Sequence, residues 1–76
     1  MKELLEYIAK SLVDYPDDVS VTEIESEQTT VLELHVNEAD MGKVIGKQGR
    51  IAKSIRAVIK AAAGRSNKRV VVEIVQ

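Results

Sequence analysis

Residues 46–50, Gly-Lys-Gln-Gly-Arg, combine residue types that bind phosphate. Gly46 and Gly49 allow a sharp turn and leave room for another backbone to approach the main chain closely. Where a helix begins just after such a turn, its free N–H groups and its dipole attract anions, and Lys47 and Arg50 add positive charge. These residues therefore predict a loop that grips a sugar-phosphate backbone and does not read bases.

Two better-known phosphate motifs do not fit this stretch. Gly42 and Gly46 enclose three residues, whereas a P-loop has four there, and Gln48 stands where a P-loop has Ser or Thr. A dinucleotide-binding fingerprint has glycine in place of Val44 and follows a strand, whereas the residues before Gly46 have a helical pattern. The motif that remains is Gly-x-x-Gly between two helices.

Catalytic and metal-binding patterns are missing from the rest of the sequence. His35 is the single His, there is no Cys, and neither an HExxH motif nor a nucleophile elbow occurs. Asp17 and Asp18 follow Pro16, where bonding to the backbone of a turn is the more common role. We therefore expect a chain that is not an enzyme and that has no metal, no cofactor and no small-molecule substrate.

Length and composition limit the class of protein. The 76 residues suffice for one domain, and Leu, Ile and Val make up 23 of them, enough for a folded core but with little room for a deep pocket. The lack of Cys fits a reducing compartment. No apolar run approaches the ~18 residues that a membrane span requires. We expect a cytoplasmic protein that does not bind membranes.

The net charge of −1 hides an uneven distribution along the chain. Residues 1–42 hold two bases and eleven acids, a net charge of −9, whereas residues 43–76 hold nine bases and one acid, a net charge of +8. Because local charge sets the field at a surface, the basic second part can attract a polyanion. A solvated basic helix is the alternative explanation of the same count.

Apolar spacing predicts the elements that position the loop. In chain order they are a helix at 2–15 stopped by Pro16, a strand at 19–26 with a bulge near Glu23, a strand at 30–36, a short helix at 38–45 capped by Asn37 and Asp40, a helix that starts at Arg50 and is closed by Gly64, and a strand at 70–75. Residues 27–29 are short enough to close a hairpin between the first two strands.

These elements predict a two-layer α+β domain over residues 1–76, in the order α-β-β-α-α-β. The chain passes through two helices between the second strand and the last, which permits a parallel pairing by a right-handed crossover. The result is a three-stranded mixed sheet with the helices packed on one face.

The stretch 44–55, Val-Ile-Gly-Lys-Gln-Gly-Arg-Ile-Ala-Lys-Ser-Ile, resembles the signature of the KH domain, whose Gly-x-x-Gly loop clamps about four nucleotides. The element order is similar to the type II, or bacterial, KH arrangement. The whole chain resembles the small stand-alone bacterial KH proteins of the KhpA, or YlqC-like, family. The RNA-binding residues that the resemblance implies are Gly46, Lys47, Gln48, Gly49 and Arg50, with Ile45, Ile51, Lys43 and Lys53 around them and Arg65, Lys68 and Arg69 across the groove.

The resemblance further implies a cytoplasmic single-stranded RNA-binding protein of low sequence specificity, acting as an RNA chaperone or post-transcriptional regulator linked to cell envelope growth and division. The implied partners are a second copy of the chain and a larger KH-containing protein of the KhpB or Jag type. Tyr7 and Tyr15 are the only aromatic residues, too few for the base-stacking RRM and OB modules. Two alternatives stay open, namely a protein-interaction module that uses the acidic first part and a single-stranded DNA-binding protein.

Overall fold

A computed structural model of the chain describes residues 1–64 and 67–75. The elements are α1 (Lys2–Leu12), β1 (Ser20–Glu25), β2 (Thr29–His35), α2 (Met41–Ile45), α3 (Arg50–Ala62) and β3 (Arg69–Val75), with single turns of 3-10 helix at Pro16–Asp18 and Glu38–Asp40 and a tight turn with left-handed residues at Lys47–Gly49. This order confirms the predicted α-β-β-α-α-β fold class. Among the described residues, no helix combines the length and the apolar character needed to cross a membrane.

The three strands form one mixed sheet in the order β1-β2-β3. β1 and β2 are antiparallel, from the pair Ser20 and His35 to the pair Glu25 and Thr30, and β3 runs parallel to β2. The Ser26 N–H donates to the Thr29 carbonyl, 2.8 Å away, and closes the predicted hairpin. Every residue of β1 pairs with one residue of β2, so the predicted bulge near Glu23 is absent from this strand.

The hydrophobic core lies between the sheet and the three helices. Alternate side chains of β2 point inward, and Leu32 and Leu34 are fully buried there. The amphipathic spacing of α1 and α3 supplies the other side of the core. The buried apolar residues are Leu5 and Ala9 of α1, Val19, Val21 of β1, Leu32 and Leu34, Val44 of α2, Ala52, Ile55 and Ile59 of α3, and Val72 of β3. This packing fixes α3 against β3, where the candidate site lies.

The first helix ends at Leu12, three residues before the predicted end at Tyr15. The chain leaves the helix at Val13, which is extended, so that the N–H groups of Asp14 and Tyr15 can donate to the carboxylate of Asp40 at 3.2 and 3.0 Å. Pro16 therefore begins a 3-10 turn and does not stop the helix. This long-range contact overrides the local helical pattern.

Two predicted caps differ from the observed ones. Asn37 does cap its turn, since its Oδ1 accepts from the Ala39 N–H at 2.8 Å, but the Asp40 carboxylate turns away to the end of α1. Gly64 is not a left-handed cap, because only Gly46 and Gly49 among the described glycines have positive φ. Its N–H instead bonds to the Ala61 carbonyl at 3.2 Å in a tightened last turn.

Candidate functional site

The loop of residues 46–49, hereafter the GXXG loop, starts at a glycine that the fold requires. Gly46 has φ 76° and ψ 173°, a backbone conformation that essentially only glycine adopts. A Cβ at this position would lie 2.6 Å from Cγ1 of Ile51, well inside van der Waals contact. The chain thus reverses tightly enough for the loop to rest on the side chain of Ile51 in the first turn of α3.

The other end of the loop is open. Gln48 and Gly49 follow each other in the left-handed region, with φ of 58° and 73°, and the Gly49 N–H donates to the Gly46 carbonyl at 3.1 Å. A Cβ on Gly49 would meet nothing within 4 Å. Glycine here therefore leaves free space beside the main chain, into which a ligand backbone can come.

The first turn of α3 is suited to an anion. No side chain caps the N-terminus of this helix, and its first turn has no acidic residue. The free N–H groups and the helix dipole therefore have no counter-charge in these residues, which all lie in the described part of the chain. The loop and the first two turns of α3 carry three cations, Lys47, Arg50 and Lys53, and Arg50 Nη2 approaches Gln48 Oε1 at 3.4 Å.

The basic side chains continue along one flank of α3. Lys53, Arg56 and Lys60 recur at intervals of three and four residues, the spacing of one helix face. The last two border a groove of about 380 Å³ between α3 and the free edge of β3, hereafter the basic groove. Among the described residues, its lining is Arg56, Lys60, Ala63, Gly64, Lys68, Arg69, Val70, Val71 and Val72. From Gly49 to Lys60 this face extends ~16 Å at the rise of an α-helix.

Two side chains of the basic groove make defined contacts. Arg56 Nε donates to the Val72 carbonyl at 3.2 Å, and Lys68 Nζ forms an ion pair with Glu25 at 3.6 Å. Arg56 and Lys60 were not among the predicted site residues, although their spacing from Lys53 was the available signal. The sequence does not tell which flank of α3 faces β3 until the strand order is known.

Lys43 differs from the other predicted contacts because its ammonium is held by two acids. It forms an ion pair with Asp14 and a second one with Asp40 at 3.4 Å. The hydrogen bond that Lys43 Nζ donates to the Asp14 carboxylate raises the pKa of Lys43 above its ordinary value, although partial desolvation acts against it. A phosphate would have to compete with these carboxylates for Lys43.

The remaining predicted residues divide between the core and the groove. Ile45 and Ile51 are partly buried and pack against the core on either side of the GXXG loop. Arg69 is the exposed first residue of β3. Arg65 lies outside the described residues. The structure thus brings the GXXG loop, Lys53 and the basic groove along one helix and leaves Lys43 among acids.

Comparisons with known proteins agree with this geometry. The family model of the KhpA/KhpB KH domain matches residues 2–74. A protein of Clostridium acetobutylicum named RNA-binding protein KhpA is 71% identical over 75 residues, which cover 99% of this chain and 100% of that one. The protein of the same name from Aquifex aeolicus is 53% identical, with 100% of this chain and 96% of that one covered. These names belong to binding proteins and not to enzymes, in agreement with the expectation from the sequence.

Solved structures show the same fold in a larger protein. Era from Aquifex aeolicus, bound to GDP and an aluminium fluoride, superposes with a TM-score of 0.61 at 23% identity. Era in complex with MgGDPNP and nucleotides of 16S ribosomal RNA gives a TM-score of 0.59 at 23% identity. Each match covers 97% of this chain, which spans 30% of the Era chain.

Proposed function

We propose, since this chain belongs to the KhpA/KhpB family of KH domains, that it binds single-stranded RNA with low sequence specificity. The GXXG loop would grip the sugar-phosphate backbone, and the strand would run from there along α3 into the basic groove. The names of the relatives support an RNA ligand. The likeness to Era supports the fold alone.

One observation carries the proposal, the accessible start of α3. The free N–H groups of its first turn have neither a side-chain cap nor an acid beside them, and the space next to Gly49 is open. Phosphate is the ligand that such a helix start favours, because N–H donors, dipole and cations act together. The cations beyond it, Lys53 and Lys60, would neutralise further phosphates without reading bases.

The test is a titration of a labelled mixed-sequence RNA of about 12 nucleotides with the wild-type chain and with the double variant Lys47→Asp, Gln48→Asp. Asp tolerates the left-handed conformation of Gln48, so the loop keeps its shape. The matched control is Lys2→Glu, Lys10→Gln, which lowers the net charge of −1 equally but lies on α1. We expect the loop variant to lose at least about tenfold in affinity and the control to stay near wild type.

The same titration separates the alternatives. Equal binding by the loop variant and the wild-type chain would contradict the proposed clamp. Undiminished affinity for the deoxyribose version of the strand would favour single-stranded DNA binding, because the 2′-OH is the group that distinguishes RNA. No binding by the folded wild-type chain would favour a protein partner for the acidic first part of the chain.

We also propose that the chain forms a homodimer through an exposed apolar groove between α1 and α3. This apolar groove has a volume of about 410 Å³ and is lined by Ile8, Leu12, Arg50, Ile51, Ser54, Ile55 and Val58. Leu12 is 39% and Val58 48% exposed. Exposure of this apolar surface to water costs free energy, and a second copy of the chain would cover it. Two linked RNA grooves would raise the avidity of a weak site.

Sedimentation equilibrium tests the dimer. Val58→Glu places a charge in the apolar groove and should give a monomer, whereas Ala57→Glu, one residue away and exposed to solvent, should leave the association unchanged. A monomeric wild-type chain would contradict this proposal.

The family resemblance alone supports three further proposals. They are pairing with a larger KhpB or Jag-type protein, a cytoplasmic location, and a role as an RNA chaperone or regulator in envelope growth and division.

A further inference from the structure

The free edge of β3 forms one wall of the basic groove, and its backbone groups alternate in direction. β3 is the last strand in the sheet order and runs parallel to β2. The Arg69 N–H donates to the Gln28 carbonyl at 2.9 Å, so the backbone of Arg69 faces β2. By the alternation of a strand, Val70, Val72 and Ile74 direct their N–H and C=O groups to the free edge of β3, where Val70 and Val72 line the basic groove.

One of these groups is already engaged by a side chain. Arg56, on the adjoining flank of α3, donates its Nε–H to the Val72 carbonyl at 3.2 Å. A bare strand edge offers an N–H donor and a C=O acceptor. This pair suits adenine, whose ring nitrogen can accept from the N–H while its amino group donates to the C=O. With Arg56 bonded to one side of this carbonyl, the strand edge at Val72 presents mainly donors, because the guanidinium adds N–H groups and no acceptor.

We propose that Arg56 is a base-reading residue that gives the basic groove a preference for guanine over adenine. This inference rests on the proposed RNA binding and adds a base preference to it. The bond from Nε to Val72 holds the guanidinium at the strand edge and leaves the Nη1 and Nη2 groups free to form the fork that pairs with O6 and N7 of guanine. Adenine has an amino group in the place of O6. This donor would face the donors of the guanidinium and find no acceptor there.

The test compares two RNAs of about 12 nucleotides, uridine strands that carry G or A at every fourth position to match a four-nucleotide groove. The wild-type chain should bind the G strand about fivefold more tightly. Arg56→Met keeps an unbranched side chain without donors and should abolish this ratio. Arg56→Lys keeps the charge without the planar fork, so it should retain more affinity for both strands than Arg56→Met, with a G-to-A ratio below that of the wild-type chain.

Lys60→Gln is the matched control, one turn further along the same flank of α3. It removes a charge and should weaken both strands alike while the G-to-A ratio stays at the wild-type value. Arg56 is exposed, so circular dichroism should show folded variants.

The outcomes separate this inference from the proposed function. RNA binding with an unchanged ratio in Arg56→Met, or without a G preference in the wild-type chain, would overturn the inference and leave RNA binding intact. A full G preference in Arg56→Lys would overturn it as well, because the planar fork of the guanidinium would then not be needed. Binding of neither strand by the wild-type chain would refute both.

Discussion

The two glycines of the GXXG loop meet different steric demands, and this difference can be measured. Gly46→Ala would force a residue with a Cβ into a nearly glycine-only conformation and against Ile51, so we expect a loss of about 3 kcal/mol in unfolding free energy. In Gly49→Ala the new methyl group has open space, and only the left-handed φ is unfavourable. We therefore expect a loss of about 1 kcal/mol in unfolding free energy. Urea unfolding of both variants gives these values.

RNA titration of the same variants distinguishes a structural glycine from a binding one. Gly49→Ala should remain folded and yet bind RNA several-fold more weakly, because its methyl group occupies the space that the ligand backbone would use. Equal losses of stability in the two variants would contradict the steric account. Unchanged RNA affinity of the folded Gly49→Ala chain would remove Gly49 from the clamp.

At the scale of elements, the Asp40 carboxylate joins the end of α1 to the start of α2. The side chain is fully buried and accepts from the N–H groups of Asp14 and Tyr15 and from Lys43. Burial alone would raise the pKa of Asp40, but these three donors outweigh it and hold the pKa below its usual value. The charged form is therefore the one that stabilises the fold.

The lowered pKa of Asp40 predicts an acid-sensitive contribution to stability. A depressed folded pKa gives stability that is present above the unfolded pKa, about 3.9, and is lost as pH falls through the folded value. Asp40→Asn cannot accept from both N–H groups with its amide, so we expect Tm to fall by on the order of 10 °C at pH 7. The difference in Tm from wild type should shrink below about pH 4.

Thermal unfolding from neutral to acid pH measures this effect, with Asp17→Asn, an exposed acid of the Pro16–Asp18 turn, as the control. A difference in Tm between wild type and Asp40→Asn that stayed constant down to pH 3 would contradict the lowered pKa of Asp40.

The contribution of Lys43 to stability depends on pH in the opposite sense. Its raised pKa gives stability that is complete below its ordinary value and is lost as pH rises through the folded value.

The elements that could be predicted are those set by local spacing. The strands at 20–25, 29–35 and 69–75 begin and end within one residue of their predicted bounds, because alternation and turn residues determine them. The end of α1 could not be predicted, since it depends on Asp40, which is 25 residues away from Tyr15. The GXXG loop could be predicted from its motif. The place of Arg56 and Lys60 in the basic groove could not, because it depends on the strand order, which sets the flank of α3 that faces β3.

At the scale of the whole molecule, the opposed charges of the two parts of the chain matter more than their sum. The chain measures 35 × 22 × 18 Å, whereas at physiological salt charges more than about 8 Å apart are largely screened. A phosphate at the GXXG loop or in the basic groove is therefore influenced mainly by the cations beside it. The net charge of −1 is no obstacle to binding a polyanion.

This screening argument predicts the salt dependence of RNA binding. With three or four phosphates neutralised by a four-nucleotide groove, the slope of log K against log salt should be about −2 to −3. Lys60→Gln should make the slope less negative by about 0.7, the value for one phosphate on a single strand. Asp17→Asn changes the net charge by the same amount, in the opposite direction, but outside the groove lining, and should leave the slope unchanged. Slope shifts of equal size and opposite sign in the two variants would mean that total charge, and not the basic groove, governs the affinity.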